Sequence, residues 1–305
     1  MIKNNYSPCD ETVRARIHER FNVDSDGIKR DIEIIREWIR QQSHLPQDIQ
    51  DDDFLEKCLL RNKFRVEHTK EKLEKYYSLK AISANEIARI RSALPIETRL
   101  TILPLPVLTD KMERIILIRT NNSVTDDEEL IMRSFKYTLC TSEYSLRCDY
   151  SVGYRIIQDF EGLTYEQVKK YAIALGSFPK SYSNAYFARI AGVEYLNVPP
   201  FVEAFLKGVK AVLTAKMFSK ISVHKNFESL HKNVDKAYLP PEYGGDLDTS
   251  MDELLGKWNQ EIESNVDALE KVIVSEISNE SLRVGEVKYN EAFGVDGTFK
   301  SLALD

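Results

Sequence analysis

The feature that most constrains this chain is a change of hydrophobic period near residue 96. Before it, apolar residues recur at helical spacing. Beyond it, short β-rich runs at 114–119, 154–160, 186–196 and 221–224 alternate with segments of helical period at 126–146, 164–178 and 199–219. An order of strand, helix, strand, helix, strand predicts an α/β layer with a mainly parallel sheet. From Ser250 onward one further helix is expected over 251–277, interrupted at Gly256, followed by a polar tail.

The first 95 residues predict a helical domain. Asp10 is placed to cap a helix reaching His18, and Ile32, Ile35, Trp38 and Ile39 share one side of a second helix over 29–41. Asp51, Asp52 and Asp53 suit the start of a third, where carboxylates cap free N–H groups and complement the helix dipole. A fourth is expected over 65–77, with Leu73, Tyr76 and Tyr77 at helical spacing.

At 305 residues and 43% hydrophobic, the chain can bury a large core without disulfides or metals. Its 12 glycines include one Gly-Gly pair, Gly244-Gly245, and no GxGxxG, GxxxxGK[ST] or GxSxG occurs. Successive glycines let backbone N–H groups approach a pyrophosphate, so a dinucleotide, NTP or nucleophile-elbow hydrolase site is not expected. A net charge of −6 argues against a general nucleic-acid binder, because phosphate contacts need surplus Lys and Arg. No apolar run approaches the roughly 20 residues of a membrane span, and residues 1–10 lack a signal peptide's apolar segment. Cys9, Cys58, Cys140 and Cys148 show no CxxC spacing, so neither zinc nor a disulfide framework is expected, and a cytoplasmic setting fits.

His224 and His231 stand without an HExxH motif and read as surface or core histidines. The run Asn22-Val23-Asp24-Ser25-Asp26-Gly27, with Glu33 beyond, matches EF-hand ligand spacing. Asn in the first ligand place and Lys29 at an apolar position favour a polar turn between two helices.

The segment 199–225 carries an unusual balance. Phe201, Val202, Phe205, Val209, Val212 and Leu213 fall on one helical face, and after Glu203 come Lys207, Lys210, Lys216, Lys220 and Lys225 with no acid. Periodicity leaves two readings open: a core helix with solvated lysines, or an amphipathic gate over a pocket whose lysines meet anionic headgroups.

Four stretches then carry a family likeness. They are Asp53-Phe54-Leu55 through Lys63-Phe64 to Tyr76-Tyr77; Ile156-Ile157-Gln158-Asp159-Phe160-Glu161-Gly162-Leu163; Leu196-Asn197-Val198-Pro199-Pro200-Phe201; and Leu239-Pro240-Pro241-Glu242-Tyr243-Gly244-Gly245. Across 29–258 the chain resembles the CRAL-TRIO lipid-binding family, nearest its tocopherol-transfer and retinaldehyde-binding branch. The resemblance implies a helical N-terminal domain over 1–95, an α/β lipid-binding domain over 96–255 whose sheet floors an apolar cavity, and a C-terminal helix and tail over 256–305.

It also implies site residues. The segment 199–210 looks like a movable lid, with Phe201, Val202, Phe205, Leu206 and Val209 shielding one small lipid, and Phe187 and Ile190 adding to the apolar wall. Thr138 and Ser142, in and beside the family-like Thr141-Ser142-Glu143, are placed to bond a ligand hydroxyl or carbonyl, unless they bond back to their own helix. Arg189, Lys216 and Lys220 match basic positions of a phosphoinositide reader, while Ala191 stands where another base is usual. In the first domain Leu60 replaces a common family arginine and Lys57 stands for another.

The expectation is a non-enzymatic carrier of one hydrophobic molecule, with no cofactor and no metal, acting transiently at anionic membranes. Its partners are the ligand and a phosphoinositide-containing surface, with no nucleic acid, and a monomer is expected. The alternative is a lipid-sensing interaction module without net transfer.

Overall fold

The computed structural model describes residues 2–48, 51–87, 100–120, 128–170, 186, 188–202 and 218–286. Four helices open the chain: α1 (Glu11–Phe21), α2 (Ser25–Arg40), α3 (Asp52–Arg61) and α4 (Val66–Ile87). Asp10 caps α1 by accepting from the Val13 amide, and Asp51 caps α3 at the amides of Asp53 and Phe54. Ile28, Ile32, Ile35 and Ile39 form the buried stripe of α2, against which Phe54, Leu55, Leu59, Leu73, Tyr76 and Tyr77 pack.

The structure bears out the polar turn between two helices at residues 22–24 and excludes the EF-hand alternative. Asn22 ends α1 in the left-handed conformation with φ 53°, Asp24 caps α2 by accepting from the Gly27 amide at 2.6 Å, and α2 begins at Ser25. Ser25 to Glu33 therefore lie on a helix and cannot wrap a cation as an EF-hand loop does. Asp24 as cap is also why α2 starts four residues before the expected Lys29.

Five strands form one sheet in the order β1 (Leu100–Leu108), β2 (Glu113–Thr120), β3 (Gly153–Asp159), β4 (Ile190–Leu196) and β5 (Ile221–His224). β2 through β5 are parallel, while β1 pairs antiparallel with β2 at the edge. β4 begins at Ile190, four residues later than the β-rich run. β1 escapes sequence reading because Pro104 and Pro106 argue against a strand; both are tolerated at an edge, where the register shifts between Pro104 and Leu108.

Between β2 and β3 runs α5 (Glu128–Cys148); after β5 come the short α6 (Phe227–His231) and the long α7 (Met251–Ser275). α7 starts with a capping box between Ser250 and Glu253 and passes unbroken through Gly256, correcting the expected interruption. It packs along α5 and also meets α4 and β1, so it bridges the helical layer and the sheet.

Three of the four stretches that carried the family likeness meet at one carboxylate. Asp159, at the end of β3, accepts from Asn197 Nδ2 at 2.9 Å, the Glu161 amide at 3.0 Å and the Tyr243 hydroxyl at 3.1 Å. Gly244 takes φ 64°, and a Cβ on Gly245 would stand 1.9 Å from the Leu239 carbonyl oxygen, so the turn that presents Tyr243 requires both glycines.

Candidate functional site

The two faces of the sheet differ. Period-two alternation puts Ile115, Leu117 and Ile157 on one face, where they have no exposed surface, beneath the segment carrying Leu230, Leu239 and Tyr243. That face also holds charge: Arg155 pairs with Glu113 at 2.9 Å and Glu194 at 2.5 Å, and His224 Nε2 lies 2.7 Å from Glu194. His231 Nε2 lies 2.9 Å from the Tyr243 carbonyl oxygen, so both histidines are structural.

On the other face Ile102, Ile116, Ile118, Ile156 and Ile190 are only partly buried although they lie inside the fold. They border a half-open cavity of about 180 Å³, lined further by Pro104 and Tyr154 from the sheet, Thr138, Thr141, Ser142, Ser145 and Leu146 from α5, Arg61 from α3, and Tyr186 and Ala188 from the approach to β4.

Three expected site residues, Thr138, Ser142 and Ile190, line this cavity. Thr138 Oγ1 donates to the Ser134 carbonyl at 2.8 Å and Ser142 Oγ to the Thr138 carbonyl at 2.8 Å; Thr141 Oγ1 donates likewise to Thr138 at 2.9 Å. Their protons are committed to the helix, so toward a ligand these hydroxyls offer acceptor lone pairs. Phe201 and Val202 lie outside the cavity wall, because the Pro199-Pro200 turn carries the chain past the carboxyl ends of the strands; Phe201 there meets Tyr165 edge-on at 5.8 Å. Phe187, Phe205, Leu206, Val209 and Lys216 fall outside the described residues. Arg189 Nη1 donates to the Val152 carbonyl at 3.1 Å and Lys220 Nζ to the Ile190 carbonyl at 2.6 Å, which brings both cations to the end of the sheet where β4 begins. Burial pulls the Arg189 guanidinium below its ordinary value, and the charge of Arg20 adds to that.

Sequence reasoning missed Arg61 and Tyr186. Arg61 closes an otherwise apolar turn, Cys58-Leu59-Leu60, and that lone cation among residues with no exposure was the available signal. Tyr186 donates to Glu143 Oε2 at 2.7 Å and so ties the cavity wall to a buried cluster. In that cluster Tyr76 donates to Glu143 Oε1 at 2.5 Å, Arg147 Nε donates to the same oxygen at 2.6 Å, and Lys80 Nζ lies 3.6 Å from Oε2. Burial alone would raise the Glu143 carboxyl, but Lys80, Arg147 and the Tyr76 hydrogen bond hold it down at about 2. Burial pulls Lys80 down to about 8, against the pull of Glu143.

A helical layer on a mainly parallel sheet, with an isoleucine-walled cavity between sheet and helix, defines a binder of apolar ligands. Comparison with known proteins agrees: the CRAL/TRIO domain matches residues 103–245, and the Pinta-like UBA domain matches residues 24–85. Clavesin-1 of Rattus norvegicus is 23% identical over 250 residues, covering 78% of this chain and 69% of that protein. Clavesin-2 of Homo sapiens is 26% identical over 142 residues, 43% of each chain. The crystal structure of Sfh5 aligns over 97% of this chain and 99% of that one at 14% identity, with a TM-score of 0.35. Residues 103–245 thus place this part of the chain in the CRAL-TRIO lipid-binding family. Among the described residues no helix is long and apolar enough to cross a membrane.

Proposed function

We propose that the chain is a non-enzymatic carrier that holds one small hydrophobic ligand, such as tocopherol, a retinoid, another terpenoid or a related lipid, and delivers it at anionic, phosphoinositide-containing membranes. The observation that carries this reading is the half of the sheet whose isoleucines border a cavity while their neighbours one residue away are fully buried. Enclosing apolar ligand surface there is favourable by about 25 cal/mol per Å². Arg189 and Lys220, with Lys216 from the lysine run, supply the attraction to a charged surface, at up to about 1 kcal/mol per lysine near the membrane. The lid at 199–210 and the domain limits at 95 and 255 remain part of this proposal.

Transfer of a fluorescent terpenoid from protein to vesicles tests both halves. Ile156→Trp fills the cavity and is expected to weaken ligand binding at least about tenfold with unchanged far-ultraviolet dichroism. The Lys216→Glu, Lys220→Glu double variant should bind normally but transfer more slowly to phosphoinositide vesicles, and equally fast to neutral ones. Unchanged binding by Ile156→Trp would remove the cavity as the site; unchanged transfer by the double variant would remove the electrostatic step.

A further inference from the structure

The cavity holds one side chain that a purely apolar ligand leaves unsatisfied. Arg61 is 6% exposed and lines the wall, its Nη2 donating to the Ser145 carbonyl, the Asp149 carbonyl at 3.2 Å and the Tyr154 hydroxyl at 2.7 Å. Its Nη1 is buried and has no hydrogen-bond partner. A buried N–H without an acceptor is costly, and a charged one more so. The neighbouring hydroxyls of Thr138, Thr141 and Ser142 keep lone pairs that could accept, but none of them bonds Nη1.

Among the described residues Arg61 also has no carboxylate paired with it. Arg114 Nε and Nη2 both donate to Asp149 Oδ1, at 3.1 and 2.9 Å, and its Nη1 donates to the carbonyls of Leu105 and Pro106. Arg61 reaches the backbone of Asp149 and not its carboxylate. Only Arg114 bonds the Asp149 carboxylate, which the charges of Arg114 and Arg61 hold below the usual carboxylate range against the opposing effect of burial. The other buried cations near the wall, Lys80 and Arg147, are matched by Glu143 and Glu276.

We infer that the ligand is an acidic lipid, an apolar body against Ile116, Ile156 and Ile190 ending in a carboxylate that accepts from Arg61 Nη1. The inference rests on this cavity being the ligand site. A carboxylate supplies one negative charge to the one guanidinium of Arg61, whereas a phosphate monoester carries about −1.5 to −2 and overshoots it. An alcohol head satisfies the lone pairs of Thr138 and Ser142 but leaves Arg61 without a counter-charge.

Calorimetric titration of the full chain with dodecanoic acid, dodecan-1-ol and dodecyl phosphate at neutral pH tests this. The acid should bind at least about tenfold more tightly than the alcohol, and more tightly than the phosphate. Arg61→Met should erase the preference for the acid over the alcohol, and Arg61→Lys should retain part of it. If Arg61→Met does not fold, the three ligands on the parent chain still decide. Alcohol binding as well as acid, or phosphate binding better, overturns the carboxylate assignment and leaves the carrier reading standing. Failure of all three to bind the parent chain overturns both.

Discussion

Single residues explain why a few short motifs go so far in this chain. Asp159 is 3% exposed and gathers donors from three separated stretches, so the strand end, the Asn197 turn and the Pro240-Pro241 turn are fixed by one carboxylate. Burial raises the Tyr243 hydroxyl well above its ordinary value, with Asp159 adding to the rise, so Tyr243 remains a donor throughout the physiological range. Tyr243→Phe removes only that O–H, at 3.1 Å from Asp159 Oδ2, and leaves the ring packed. The expected loss is roughly 1.5–3 kcal/mol, the range for a hydrogen bond to a charged group. Urea denaturation should show a lower midpoint at unchanged slope. A midpoint equal to the parent's would mean that Asn197 and the Glu161 amide suffice.

Elements show what could and could not be foreseen. β2, β3 and β5 follow their β-rich runs to within a residue, and α1 and α3 start where an aspartate can cap them, because local patterns and caps determine those limits. β1 was illegible because the edge position that makes its two prolines harmless is a tertiary fact. The cavity was legible only as a family expectation: nothing local in Ile115-Ile116 says which isoleucine faces a void and which the core. Gly256 misled in the other direction, since its low helix propensity suggested a break while the flanking residues of α7 bury Leu254, Trp258 and Ile262 against the core. No atom lies within 4 Å of where a Cβ on Gly256 would stand. Gly256→Ala should therefore stabilise the chain by about 0.5–1 kcal/mol, read as a rise in thermal midpoint with ligand binding unaltered. A fall in the midpoint would show that α7 needs the glycine for a reason other than packing.

The whole molecule is joined across its layers by the Glu143 cluster. Tyr76 and Lys80 come from α4, Glu143 and Arg147 from α5, Val272 from α7 accepts from Lys80 at 3.2 Å, and Glu276 follows α7 to pair with Arg147. Arg147 also sets its guanidinium 4.4 Å from the Phe54 ring centre, reaching α3. Through Tyr186 the same carboxylate holds one wall of the cavity, so the contact between helical layer and sheet and the closure of the ligand site share a single anion. Its titration has a definite sign. Glu143 is held at about 2 in the fold against an ordinary 4.5, so the unfolded chain binds the proton first. The stabilisation is whole above the ordinary value and is lost as pH falls from about 4.5 through about 2. A depression of that size is worth roughly 3 kcal/mol at neutral pH. Glu143→Gln leaves Lys80 and Arg147 with one carboxylate between them, and at neutral pH it should cost about 3–5 kcal/mol. It should also flatten the dependence of urea midpoint on pH between 4.5 and 2, where the parent loses stability. Because Tyr186 loses a charged acceptor in the same variant, ligand dissociation should quicken even under conditions where the chain stays folded. Parallel acid limbs for parent and variant would mean that the carboxylate joining the layers is not what fails in acid.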